Sequence, residues 1–571
     1  MNLAAKPARK PAREPSMKPP PRPGITVAKV IFVFGFIVLF LGTGWETGVT
    51  GKDEYWVTLR TPLEMMERDS YWTLWLNDEV RLQKPPLIYW AIIGFYRLFG
   101  IQLWAARLVG VLSGAGMAVL TTLLYRRLFK GSGFLAGIVV LATAGVAVEG
   151  RRAMLDMPLG LFTTWSVYLC VAAWQDKKAW LWGAAGAALA GATLAKGPQS
   201  LLFLLPALIT GFVLMRPRPG LKTLWKPALL FGGIFLMLSL PWPLSMRALH
   251  GEFLEELNTQ IVDQRLSRVS LKSPINALSS VLLLTFPWSF VLVAGLVLAW
   301  RKAHPLHDKR VLWLIGWLLL SVLPFFFMRS FERYMIPILP CASLLIHVTL
   351  ERLGDRPRKI LLRVSAILLA IVALVFSLFG MWFHLTFYSS LFTICMTIWL
   401  LWTAFTETRP DRPLIAAVWV FAFVLGVVYP RLGVNALPDE IPWDDLRQHP
   451  VGIYSRYSQP AMLSMRLGRS VDFAREDRLV ADGYHGYIFT TRDQYRDPER
   501  VDTLHHALTA AGIPYEIAGR YPVFFSRRTW IRFAAPESGP DEWREAFRTR
   551  NLEGLKSEIL FVRTGNLVET P

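Results

Sequence analysis

Apolar residues in this chain gather in long unbroken runs, and charged residues fall almost wholly between the runs. That pattern differs from the three-and-four spacing of a soluble amphipathic helix. Runs long enough to cross about 30 Å of hydrocarbon lie near residues 26–45, 104–124, 132–149, 155–174, 179–195, 199–215, 227–243, 276–299, 311–328, 334–350, 360–380, 385–405 and 413–430. They predict a membrane all-α, polytopic domain over 26–430 with about thirteen transmembrane helices. After residue 430 the apolar runs become short and alternate with helical stretches: "VGIYS", "GYIFTT", "RVDTLHHALTAAG", "PYEIA" and "YPVFFSR". This predicts a small soluble α/β domain over 431–571.

The connectors between alternate runs are short and basic: "YRRLFKG", "QDKKA", "RPRPGLKTLWK", "RKAHPLHDKR", "ERLGDRPRKILLR" and "TETRPDRP". The positive-inside rule places them in the cytoplasm, with the basic, proline-rich arm 1–25, read as disordered. The stretch "LQKPPLIYWAIIGFYRLFG" (82–100) tests this assignment. Were it a full span, every later connector would change sides and the basic ones would face outward. It is also short, so it predicts a helix lying along the outer surface, opened by Lys84 and carrying interfacial aromatics at Tyr89, Trp90, Phe95 and Tyr96. An odd span count then leaves 46–103, 244–275 and the C-terminal domain outside, which for a bacterial inner membrane is the periplasmic side.

Composition agrees: 53% of the 571 residues are hydrophobic, 23 are tryptophan, and mean hydropathy is +0.36. A formal charge of +20 would suggest nucleic acid in a soluble chain. Here it reports topology, and no nucleic-acid partner is expected. Cys170, Cys341 and Cys395 all fall inside apolar runs and read as small core residues.

Sorting polar residues by side gathers a set on the outer face: Asp53 and Glu54 after the first span, Lys84, then Glu149, Arg151, Arg152 and Asp156 around one turn. Lys196 ends the fifth span, and Arg329, Glu332, Arg333 and Tyr334 open the tenth. Taken singly, each of the charged ones has the bland reading of a helix-end anchor. Together, cations able to neutralise a phosphate beside carboxylates able to accept a proton suit glycosyl transfer from a lipid-linked phosphate. No glycine-rich phosphate loop appears on the cytoplasmic side, where a nucleotide sugar would arrive. In the loop 244–275, His250 and Glu252 are two residues apart and face differently on a helix, so with Glu255 they do not support a metal. Asp263, Arg265 and Arg268 read instead as cover for a donor. The adjacent His505 and His506 do not form a ligand pair. No cofactor is expected.

The motifs "GKDEYW", "KPPLIYW", "RRAMLDMPL", "LAKGP", "FPWS" and "RSFERYMIPILP", in this order across residues 26–345, resemble the GT-C glycosyltransferases. The chain is most similar among them to the bacterial aminoarabinose transferases acting on lipid A and the related protein mannosyltransferases. The resemblance implies catalytic roles for Asp53 and Asp156, and donor-phosphate contacts at Lys84, Lys196 and Arg333. It leaves Glu54, Arg60, Arg151, Arg265, Arg329, Glu332 and Tyr334 as further substrate-binding candidates. The family often has an acidic residue before the lysine and an arginine soon after the Asp-Glu pair. Here Gln83 and Trp56 stand there, with Arg60 one helical turn further on. The implied partners are an undecaprenyl-phosphate-linked sugar donor, a glycolipid or protein acceptor, and the bilayer.

Two other classes describe parts of this pattern. A lipid-linked sugar transporter or flippase would carry charges at bilayer depth and internal repeats, neither of which is seen. A scaffold with an exported domain would not require a charged rim. The topology is tested by cysteines in a cysteine-free background. An impermeant reagent applied outside is expected to label positions 90 and 500 but not 217, and protection of 500 would invert the assignment.

Overall fold

The structure, a computed structural model, describes residues 23–46, 53–214, 221–259, 262–263, 272–407, 409–454, 460–473, 485–491, 503–524, 533–535 and 538–565. Each of the thirteen apolar runs contributes helix. Among the described residues, eight helices are long and apolar enough to cross a membrane. A ninth is counted if Lys272–Leu284 and Ser289–Ala299, bent by 113°, form one span. The bend falls at "FPWS", where Pro287 can neither donate a backbone hydrogen bond nor let the preceding turn continue. Thr26–Phe40, Leu87–Phe99 and Pro198–Leu214 are shorter apolar helices. The run 132–149 splits into Phe134–Leu141 and Ala144–Glu149, and the Thr143 hydroxyl between them accepts from Val146 N at 3.5 Å.

Three indoles inside the bundle find backbone partners, which lowers the cost of burying them. The indole N–H groups of Trp288, Trp313 and Trp317 donate to the carbonyls of Ala142, Ala207 and Phe203 at 2.8, 2.8 and 2.9 Å. Small residues let backbones meet. A Cβ on Gly110 would sit 2.3 Å from the Arg152 carbonyl oxygen, so the helix Leu103–Phe129 can lie directly on the turn that precedes Asp156. Cys170 and Cys341 are buried as expected, whereas Cys395 is exposed on its helix, because that helix turns part of its surface away from the bundle.

The loop after the first helix builds its own small structure. Helix Thr61–Glu67 is followed by a two-stranded hairpin, Trp75–Leu76 with Glu79–Val80. Its turn residues Asn77 and Asp78 take positive φ, conformations that asparagine and aspartate tolerate. The Glu64 carboxylate accepts from both turn N–H groups, at 3.0 and 3.3 Å.

Helix Leu87–Phe99 buries Ile88, Tyr89, Ile92, Ile93 and Tyr96. Tyr89 and Ile93 pack with Met65, Leu74, Trp242, Met246 and Phe253, while Ile88, Ile92 and Tyr96 pack beneath the C-terminal region. Two of the expected interfacial aromatics, Tyr89 and Tyr96, are thus protein-facing. Trp90 is half-buried with its N–H on the Tyr71 carbonyl at 2.5 Å. On this helix Leu98, 74% exposed, is the better labelling position.

The C-terminal region contains a five-stranded mixed sheet. Strand Val451–Ile453 pairs in parallel with Asp472–Phe473 and Tyr487–Thr491, and Ser557–Thr564 pairs antiparallel with Tyr487–Thr491 and Tyr515–Val523. "PYEIA" and "YPVFFSR", read as two elements, are one strand through Val523, bulged between Ile517 and Gly519. The strand "SEILFVRT" is not among the elements the sequence predicts, because its apolar residues run nearly continuously and do not alternate.

Candidate active site

Four charged side chains form one chain of contacts on the face of the bundle that carries the sheet. Asp156 is the first residue of helix Asp156–Asp176, and Lys196 is the last of Trp180–Lys196. The two helices pack as an antiparallel pair, so these termini meet. A carboxylate at a helix start and a cation at a helix end are each favoured by the backbone dipole. Lys196 Nζ donates to Asp156 Oδ1 and lies 3.9 Å from the centre of the Tyr334 ring, a cation–π contact. The 3₁₀ turn Glu332–Ile338 brings Arg333 and Tyr334 to the same place. Arg333 Nε approaches Asp156 Oδ2 at 3.5 Å, and its NH2 donates to Asp53 Oδ2.

The two aspartates differ sharply in exposure: the Asp156 side chain is 2% accessible, that of Asp53 45%. Asp156 orients two cations from a closed position. Asp53 can meet a substrate.

Glu54, beside Asp53, is fully buried and cannot contact one. Arg107 Nε and NH2 donate to its two carboxylate oxygens at 2.9 and 3.3 Å, and Ala153 N donates to Oε1 at 2.8 Å. Arg107 also donates to the carbonyls of Thr43 and Trp45, at 3.0 and 2.9 Å, and to the Tyr55 hydroxyl at 3.0 Å. Sequence reasoning passed over Arg107. The signal was available, since an arginine inside the apolar stretch "LWAARLVG" is a charge that, once buried, demands a partner.

Arg60, Arg151 and Arg152 make contacts outside this chain of four. The Arg60 guanidinium is fully buried and bonded to Asn77 Oδ1 at 2.7 Å; burial pushes its pKa down to about 10 and that of nearby Glu64 up. Arg60 therefore helps hold the first loop together. Arg151 donates to the carbonyls of Val38, at 2.6 Å, and Ala147, completing two backbones. Arg152 pairs with Glu149 at 2.6 Å. Arg329 and Glu332 are exposed at the edge of the cluster, and Lys84 is half-buried just before helix Leu87–Phe99. Arg265 and Arg268 lie outside the described residues. Among the described residues no group of three or more His, Cys, Asp or Glu could hold a metal ion.

The helical bundle carries helices long and apolar enough to cross a membrane, with a charged rim and a mixed sheet in the C-terminal region. The chain aligns with the crystal structure of ArnT from Cupriavidus metallidurans bound to undecaprenyl phosphate at a TM-score of 0.67, covering 93% of this chain and 97% of that one at 18% identity. That likeness is one of fold. Residues 83–244 match the family described as dolichyl-phosphate-mannose-protein mannosyltransferase. An undecaprenyl phosphate-alpha-4-amino-4-deoxy-L-arabinose arabinosyl transferase of Pseudomonas paraeruginosa is 28% identical over 323 residues, 52% of this chain and 55% of that protein. An uncharacterized protein of Aquifex aeolicus is 32% identical over 180 residues, 31% of this chain and 35% of that protein. The matched stretch thus spans only a third to about half the length of these curated relatives. The resemblance to the polyprenyl-phosphate-sugar glycosyltransferases of the GT-C superfamily holds.

Removing one partner of a buried ion pair strands the other, at a cost of about 3–5 kcal/mol. Glu54→Gln and Arg107→Met are therefore expected to lower the melting temperature of the purified protein markedly, while Asp53→Asn, at a half-exposed position, leaves it nearly unchanged. Thermal unfolding of the three variants in detergent checks this.

Proposed function

We propose that this chain is an integral-membrane glycosyltransferase of the bacterial inner membrane. It transfers a single sugar from an undecaprenyl-phosphate-linked donor to an acceptor on the periplasmic side. The acceptor is lipid A, lipopolysaccharide or another cell-envelope glycan. The observation that carries this reading is the contact chain Asp53–Arg333–Asp156–Lys196, with one open carboxylate and two cations on one rim. The likeness to proteins whose names specify undecaprenyl-phosphate donors supports it. The reading includes the topology of about thirteen spans and a soluble C-terminal domain outside.

In the proposed reaction the acceptor oxygen bonds to the anomeric carbon as the bond from that carbon to the phosphate oxygen breaks. The electron pair leaves with the carrier phosphate, which gains negative charge. Lys84, Lys196 and Arg333 meet that charge where it develops, which is where preorganised cations lower a barrier most. Arg333 also holds Asp53, so a donor phosphate that engages Arg333 loosens Asp53 for the acceptor.

Lys84→Ala is expected to slow transfer roughly tenfold to a hundredfold, the worth of a charge-assisted phosphate contact of about 1.5–3 kcal/mol. Arginine there restores part of the activity. Unchanged transfer at normal protein levels would remove Lys84 from the site. The measurement is mass spectrometry of envelope lipids and proteins from membranes carrying each variant.

A second reading, protein O-glycosyl or O-mannosyl transfer, is favoured by the match of residues 83–244, and Asp53 separates the two. A hydroxyl acceptor must lose its proton, and a carboxylate base contributes about 10²- to 10⁴-fold. A phosphate acceptor is already ionised and needs no base. Asp53→Asn is expected to abolish most transfer to a hydroxyl but to keep partial transfer to a phosphate. Full wild-type rates with either acceptor would withdraw Asp53 from both roles.

A further inference from the structure

The segment that carries Asp53 is gripped from outside the bundle. Glu46, which precedes Asp53 on the same loop, has both carboxylate oxygens engaged by the C-terminal region: Oε1 accepts from Arg466 Nε, and Oε2 accepts from Leu437 N at 2.9 Å. Arg466 stands on helix Pro460–Leu467. It is steadied by Asp439 Oδ1 at 2.9 Å and by the Trp443 ring, 5.4 Å from its guanidinium carbon. The Glu46 carbonyl in turn accepts from the Tyr55 hydroxyl at 2.7 Å, and Tyr55 is two residues beyond Asp53. Helix Pro460–Leu467 also packs directly on the turn Glu54–Thr58, and Tyr96 reaches Met465 at 3.4 Å. Further along, Ser470 N donates to Glu67 Oε1 at 2.6 Å.

We infer that Arg466 is a positioning residue for Asp53, acting through Glu46 and Tyr55, so that the C-terminal sheet region completes an active site whose reacting groups all lie on the helical bundle. This rests on the function proposed above only for what Asp53 does. That Arg466 orders the loop stands apart from it. The bundle holds Asp53 through Arg333, a contact the proposed donor competes for, and through the neighbouring Glu54. Arg466 supplies a hold that substrate does not disturb. Misplacing a reacting group by an ångström can cost on the order of a hundredfold in rate.

Two measurements on the full-length protein in nanodiscs or membranes test this. Hydrogen exchange is expected to speed up in peptides covering residues 53–60 when Arg466 is replaced by alanine. It should stay unchanged along helix Leu103–Phe129, be near wild type in Arg466→Lys, and be unaffected everywhere near the site by the exposed control Arg544→Ala. Unchanged exchange over 53–60 would overturn the inference, whatever the activity. In the second arm, transfer from the membrane's own undecaprenyl-phosphate-linked sugars is read by mass spectrometry of the envelope. Arg466→Ala is expected to slow it about tenfold to a hundredfold in the wild-type background and to add little in Asp53→Asn, since the two act as a unit. Losses that multiply in the double variant would show that Arg466 acts independently of Asp53 and would overturn the inference. An inactive wild type would instead overturn the proposed function and leave the exchange arm to decide this one.

Discussion

The structure turns on a single buried ion pair. Arg107 is fully buried near the start of the apolar helix Leu103–Phe129, where an unpaired guanidinium is costly, and it takes both oxygens of Glu54. Glu54 has a third donor, Ala153 N, so one carboxylate joins three stretches of chain: the loop of Asp53, the helix Leu103–Phe129 and the turn leading to Asp156. The spacing of the two aspartates is thereby set by a group that touches neither. Gly110 belongs to the same arrangement, because only a residue without a side chain lets that helix approach the Arg152 carbonyl and bring Ala153 within reach of Glu54.

How much of this could be read from the chain depends on the physics that places each part. The helices were legible because hydrocarbon imposes a length and an apolarity on them, and the rim residues because charge collects where helices end. Asp53, Asp156, Lys196 and Arg333 were found in that way, and the structure brings them together. Which of the rim charges serve packing was not legible. Arg60 and Arg151 carry the same charge as Arg333, and only the carbonyls and amides that fold around them show that their donors are spent internally. Helix Leu87–Phe99 misled for a related reason: its aromatics suit a lipid interface and a protein interface equally, and two layers of protein cover it. In the sheet, strand Ser557–Thr564 is apolar toward both layers, so the alternation that would have revealed it is absent.

The division of labour between the two aspartates follows from their surroundings. Asp156 has two cationic neighbours and almost no exposed surface. Its charge is compensated before any substrate arrives, and its effect must pass through Lys196 and Arg333. Asp53 has one cationic contact and nearly half its surface open. Arg333 is shared between them, so any anion that draws on its donors acts on both carboxylates unequally: Asp156 retains Lys196, while Asp53 loses the charge that holds it. A site built this way is self-neutralised when empty, which is what the low dielectric of a membrane rim demands. Under the proposed reaction it releases its open carboxylate only when a phosphate has taken that carboxylate's place. The hold on the loop by Glu46 then matters most at that moment, since Arg466 and Tyr55 keep their grip on Glu46 while Arg333 turns to the phosphate.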